Sequence, residues 1–375
     1  MASNANTRTV KLSEISKYAK RAFKVKRPIM VWGPPGIGKS ETFEQLRDSY
    51  IADGKKAKLI DCRLSLWDPT DLKGYPYYDP QANKMRFSAP DELPDAEMAK
   101  EYDTIILFLD ELNGAAPATQ AAAYQLILNR AIGKYKLPDN VVIAAAGNRE
   151  TDKGVTYRMP KPLANRFMHY EVRVDFEDWL NWATSNGIHP DVVGYNTFAK
   201  GDLYNFDPAS AERSFATPRT WTYVSDTMFD VDSGDEDFTM QESTDMVAAS
   251  IGEGTALKFM AHRKVASQLP NPSDILSGIV TTLKTNEISA KYSLSTSMAY
   301  ELKSEYDTIG KDIDQKQFAD MLDNCLGFWL KNFDPEMIIM ATRLVFVQYG
   351  VKAQLRKLKN WGEFMKSYGH LIKEA

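Results

Sequence analysis

Between residues 27 and 175, short apolar and often β-branched runs alternate with stretches whose apolar positions recur at helical spacing. Five runs predict strands: RPIMVW at 27–32, AKLIDCRL at 57–64, TIILFLD at 104–110, NVVIAAAG at 140–147 and MHYEVRV at 168–174. Several lack polar alternation, as strands covered on both faces do, and the stretches between them are long enough for crossover helices. The expected fold class is therefore α/β, a doubly wound sandwich around a parallel sheet of roughly five strands. Two connections carry more. Residues 64–100, with DPTDLKGYPYYDP, predict an insertion, and RAIGKYKLPDN at 130–140 predicts a hairpin turning at Gly133. Beyond residue 175 helical patterns take over, beginning with FEDWLNWATSNG, so the expected domains are 1–175 (α/β), 176–285 (helical) and 286–375 (a C-terminal helical extension). The aromatic and Met content of that extension, as in CLGFWLKNF, reads as core.

Charge and cysteine usage narrow this picture little. The 375 residues carry 46 basic and 50 acidic side chains, a formal charge of −4, which gives no overall footprint for nucleic acid or an anionic membrane. The basic run KYAKRAFKVKRP at 17–28 reads as a solvated helix face. Only Cys62 and Cys325 occur, which excludes a disulfide framework and fits a reducing, cytoplasmic location. MASNANTRTV lacks the apolar centre of a signal peptide, and no apolar run nears the roughly 18 residues of a membrane span, so no membrane insertion is expected. His169, His189, His262 and His370 are isolated and read as core or surface residues; the acidic loop at 230–238 fails the calcium-loop spacing.

The chemistry lies in three strand ends. VWGPPGIGKS at 31–40 fits G-x-x-x-x-G-K-[ST]. In Gly33, Pro34, Pro35, Gly36, Ile37 and Gly38 the glycines let backbone N–H groups turn toward a phosphate; Lys39 reaches the β/γ-phosphates and the Ser40 hydroxyl holds Mg²⁺. ATP or GTP binding follows. TIILFLDEL delivers Asp110, suited to holding Mg²⁺, and Glu111, suited to polarising the attacking water. VVIAAAGNRE ends at Asn148 on the same sheet edge, where an amide can orient that water. Arg166, in MPKPLANRFMHYEV, precedes the last strand; it suits either a structural ion pair or a finger projecting into a neighbouring subunit's site. Arg219, in SFATPRTW, opens a helix of the second domain and could sense the γ-phosphate from there.

These segments together resemble the AAA+ ATPases, and more narrowly the MoxR branch, over about residues 27–224, with LPNPSDIL at 269–276 a further similar stretch. The resemblance implies an AAA+ core followed by an all-α lid at 176–285, with ATP and Mg²⁺ as cofactors. It also implies Lys39 and Ser40 as Walker A, Asp110 and Glu111 as Walker B, Asn148 as sensor 1, Arg166 as arginine finger and Arg219 as sensor 2. One departure is Gly114 in ELNGA, where many relatives carry arginine; Arg149 and Arg158 are the candidates to replace its charge. The resemblance further implies a homo-hexameric ring that remodels, matures or assembles a client protein, with a separate von Willebrand factor A domain protein as partner. A nucleic-acid motor is the alternative, with Arg130, Lys134 and Lys136 beside the hairpin as its best contacts. A small-molecule kinase or signalling GTPase is disfavoured, because Glu111, Asn148 and Arg166 would have no reason to coexist there. Tyr75, Tyr77 and Tyr78 are expected to pack the insertion onto the core, with gripping of a polypeptide as the other reading.

Overall fold

The computed structural model describes residues 9–88, 90–152, 156–234, 238–309 and 315–372. Most of the N-terminal segment, the centre of the acidic 230–238 loop and the His370 side chain lie outside the described residues. Contacts divide the chain into two compact units, Met1–Asp175 and Phe176–Ala375.

The first unit is built on a parallel sheet of six strands in the order β1-β10-β2-β9-β6-β3. These are β1 (Thr9–Val10), β2 (Ile29–Trp32), β3 (Ala57–Arg63), β6 (Thr104–Asp110), β9 (Val141–Gly147) and β10 (Met168–Val172). Two antiparallel hairpins, β4 (Pro76–Asp79) with β5 (Lys84–Phe87) and β7 (Ala131–Ile132) with β8 (Tyr135–Lys136), interrupt the crossovers. The α/β class and the five expected strands are borne out. The sixth strand, β1, has two residues, too few to show a period, and its partner β10 selects it.

The sheet is buried on both faces, which explains the unbroken apolar runs. In β6, Ile105, Leu107 and Leu109 join a cluster with Ala122, Ala123 and Leu126 of α5 (Pro117–Asn129). The alternate residue Phe108 meets Phe43 of α2 (Lys39–Ala52), their ring centroids 4.6 Å apart. The basic N-terminal run forms α1 (Leu12–Lys24), which buries Ile15, Ala19, Ala22 and Phe23 and turns Lys24 and Arg21 to solvent, as expected of a solvated helix face.

The 64–100 insertion is anchored by buried Leu72 of α3 (Pro69–Lys73) and buried Leu93, ahead of α4 (Ala96–Glu101). Between them stands the β4–β5 hairpin. Gly74 (φ +83°) closes it: a Cβ there would sit 1.6 Å from the Ser88 carbonyl oxygen, so only glycine fits. The expectation that its tyrosines pack onto the core is corrected here. Tyr75, Tyr77 and Tyr78 are 64, 49 and 56% exposed, and Met85 and Phe87 are exposed with them, because the hairpin leaves the body of the unit and buries neither face. The second hairpin turns at Gly133 (φ +59°), as expected. The short α6 (Lys161–Ala164) then leads into β10.

The second unit is helical: α7 (Phe176–Ser185), α8 (Pro190–Phe198), α9 (Pro218–Ser233), α10 (Met240–Ile251), α11 (Glu253–Ala266), α12 (Pro272–Leu276), α13 (Ile288–Asp307), α14 (Gln315–Asn332), α15 (Pro335–Arg343) and α16 (Trp361–Ile372). Tyr195, Trp221 and Phe259 stack edge to face or tilted, centroids 5.6 Å apart, at its centre. Helix α13 packs on α8 and α11, so residues on either side of 285 share one core. Cys325, Phe328 and Trp329 of α14 are buried, in keeping with the core reading of CLGFWLKNF. Among the described residues no helix is long and apolar enough to cross a membrane.

Candidate nucleotide-binding site

The loop after β2 is shaped by what its glycines allow. Gly36 (φ +74°) and Gly38 (φ +94°) adopt the left-handed region, and Gly38 caps α2. Gly33 is required for space, since a Cβ there would lie 2.5 Å from Val172 Cγ2. Helix α2 therefore opens at Lys39 with the positive end of its dipole toward the loop, which suits anionic oxygen. The Lys39 ammonium donates to the carbonyls of Gly33 (2.8 Å) and Pro34 (2.9 Å) and to Asn148 Oδ1 (3.0 Å). Lys39 and Asn148, 109 positions apart, thus meet.

Parallel register makes that meeting inevitable. Trp32 pairs with Gly147, and Leu109 with Ala145, so the loop, Asp110 and Asn148 leave the sheet on one edge. Ser40 Oγ donates to Asp110 Oδ2 at 2.9 Å. A hydroxyl and a buried carboxylate set side by side are hard oxygen donors of the kind Mg²⁺ takes, and these two residues would hold it. Glu111 follows with φ +51°, a left-handed conformation that costs a non-glycine residue about 1–2 kcal/mol. It turns the chain sharply off the strand, and its backbone N–H donates to Asp110 Oδ1 (2.9 Å). Strain of this sort persists where the surroundings enforce it.

Three nearby residues were not anticipated. Ser65, in the helical turn that follows β3, donates to Glu111 Oε2 (2.5 Å) and so fixes the carboxylate's direction. Buried Asn113 donates to the Asn148 carbonyl (2.8 Å), and its Oδ1 would lie 2.5 Å from any Cβ on Gly147. Asn113 thereby ties the turn after β6 to the end of β9. Asp61 has its carboxyl pushed up from the ordinary range by burial and by the charge of Asp110. Asn113 was legible as part of ELNGA; Ser65 and Asp61 carry no local signal, since only strand pairing brings β3 beside β6.

Arg166 is not in this group. It precedes β10, whose first residue Met168 pairs with Ile29, the start of β2. The phosphate loop leaves β2 at the other end, about 13 Å away for four residues at about 3.3 Å each. Arg166 is exposed at the amino edge of the sheet, and no carboxylate among the described residues pairs with it. Arg219 lies in the first turn of α9, in the second unit, behind a Thr217 cap whose hydroxyl accepts from Thr220 N (3.1 Å). Gly114 N donates to the Glu111 carbonyl (2.8 Å). Arg149 is engaged by Asp152 (3.2 Å) and Glu171 (3.6 Å).

No protein-family model matches the chain, and no curated protein matches it in sequence. Among solved structures it is similar to NtrX from Brucella abortus, at 12% identity over 96% of this chain and 69% of that one, with a TM-score of 0.38. A second NtrX structure, in complex with ATP, has the same identity and TM-score of 0.38 over 92% of this chain and 69% of that one. It is also similar to RuvB from Thermotoga maritima, a Holliday junction branch migration motor, at 16% identity over 68% of this chain and 74% of that one, with a TM-score of 0.33. Likeness this loose carries no functional argument.

Proposed function

We propose that the chain is a Mg²⁺-dependent AAA+ ATP hydrolase of the MoxR type. In this reading it works in the cytoplasm as a homo-hexameric ring and remodels or matures a client protein together with a von Willebrand factor A domain partner. The observation that carries the hydrolase reading is the convergence of Lys39 with Asn148 (3.0 Å) and of Ser40 with Asp110 (2.9 Å) on one sheet edge. In this reading Lys39 neutralises the β/γ-phosphates, while Ser40 and Asp110 would hold the metal, which would supply charge stabilisation at the transferring phosphoryl group. Glu111 accepts the proton of the attacking water, Asn148 orients that water, and Ser65 aims the Glu111 carboxylate. Arg219 would report the γ-phosphate to the helical unit.

Support for a protein client comes from the β4–β5 hairpin, which offers exposed tyrosine, methionine and phenylalanine and only modest positive charge. The nucleic-acid alternative loses one of its three contacts: Arg130 donates to the Pro138 (2.8 Å) and Val141 (2.7 Å) carbonyls and is committed to the fold. The test is capture from lysate with Glu111→Gln protein held in ATP, against Lys39→Ala as control and with a nuclease-treated arm. A polypeptide retained only by the first, and insensitive to nuclease, is the expected result; retained nucleic acid would reverse the assignment of client.

A further inference from the structure

At the amino edge of the sheet, opposite the phosphate loop, a cavity of about 120 Å³ opens among the starts of β2 and β9 and the end of α5. Four cations border it: Lys26, Arg27, Arg130 and Arg166. Against them stands Asp139, paired with Lys26 at 3.1 Å and almost wholly exposed. Arg130 is pinned by its two carbonyl contacts. The guanidinium groups of Arg27 and Arg166, by contrast, make no hydrogen bond or ion pair with the described residues and are exposed.

Arg27 is also held in a stiff frame. Helix α1 ends with Lys26 in the left-handed region (φ +51°), Lys26 N bonding the Phe23 carbonyl (3.0 Å) and Arg27 N the Ala22 carbonyl (3.0 Å). This is the closed turn that usually takes glycine. Pro28 then restricts the backbone of Arg27 to extended conformations. Two exposed guanidiniums without a partner among the described residues, gathered at one cavity with a fixed third cation behind them, make a patch suited to an anion from outside. The phosphate loop of the same chain is at the far end of the strands and cannot provide it.

Resting on the ring ATPase reading above, we infer that Arg27 is a second catalytic arginine acting in trans. It joins Arg166 in gripping the γ-phosphate of ATP held by a neighbouring copy of the chain, and Arg130 repels both toward that neighbour. A planar fork can take two phosphate oxygens, so a pair of arginines can span all three oxygens as charge develops on them. A lysine keeps the charge and loses the fork.

The experiment is ATPase complementation among full-length variants. Arg27→Ala should lower kcat by about tenfold or more with nucleotide affinity and sedimentation of the assembly unchanged, and Arg27→Lys should recover only part of it. Mixed with Lys39→Ala, Arg27→Ala should regain activity, because one variant keeps the phosphate loop and the other keeps the arginines. Mixed with Arg166→Ala it should not, because neither then presents a complete pair. Recovery in that second mixture, or loss of assembly by Arg27→Ala, would overturn the inference and make Arg27 a residue of its own subunit or an interface strut. The Arg166→Ala with Lys39→Ala mixture tests the underlying reading separately. If it fails while Arg27→Ala with Lys39→Ala recovers, Arg27 acts in trans without Arg166 and the pair is wrong; if both fail, the shared-site reading and the inference fall together.

Discussion

Asn113 and Ser65 show how much of the site depends on single side chains that do no chemistry. Asn113 joins the turn after β6 to the end of β9 through its bond to the Asn148 carbonyl, and it fills the space left by Gly147. Asn113→Ala should therefore lower ATPase turnover by misplacing Asn148 and cost about 1 kcal/mol of stability through the lost hydrogen bond to the half-buried Asn148 carbonyl. Chemical denaturation and single-turnover kinetics on one preparation check both. Asn113→Asp, which keeps the shape and removes the donor, should show the same kinetic loss. Ser65→Ala frees the Glu111 carboxylate, and its expected signature is a changed kcat with unchanged ATP affinity. Of the residues that meet at this edge, the loop, Asp110, Glu111 and Asn148 were legible in sequence because each closes a strand run with a recognisable chemistry. Ser65 and Asp61 were not, because their relevance is created by pairing between β3 and β6.

Among the elements, α11 carries a charge-sensitive group inside an aromatic cluster. The His262 ring is buried between Tyr195 (5.6 Å) and Phe198 (5.9 Å), both ring nitrogens lack partners among the described residues, and burial depresses its pKa to about 4. The unfolded imidazole takes a proton near its ordinary 6.5, so between pH 6.5 and 4 the unfolded state binds more protons than the folded one. The stabilisation is complete above pH 6.5 and is lost as pH falls toward 4, by at most about 3 kcal/mol. Urea titrations of wild type and His262→Phe across this window should show the acid slope reduced in the variant. The β4–β5 hairpin is the opposite case, with apolar side chains outside. A two-stranded ribbon with neither face buried is marginal in water, so its order depends on the Gly74 closure and the buried Leu72 and Leu93 at its base. Aromatic content in a sequence does not reveal which way the aromatics face; the expectation of core packing failed here for that reason.

For the molecule as a whole, the consequence of Arg166 and the phosphate loop lying at opposite ends of the strands is that one chain cannot complete the proposed site. Assembly should accordingly respond to nucleotide: Glu111→Gln with ATP is expected to sediment as a larger species than Lys39→Ala under the same conditions. Equal sedimentation would argue against a site shared between copies. The parallel sheet, its strand segments, the phosphate loop and the acidic strand end were all contained in the chain's local patterns, because unbroken apolar runs and a glycine-rich turn obey short-range sterics and burial. Strand order, the sixth strand, the outward face of the insertion and the gathering of Arg27 with Arg166 came only with the tertiary structure. They depend on which strands lie side by side and which edge each residue leaves from, and those relations link positions as many as 162 residues apart, as Thr9 to Glu171, that no local pattern can connect.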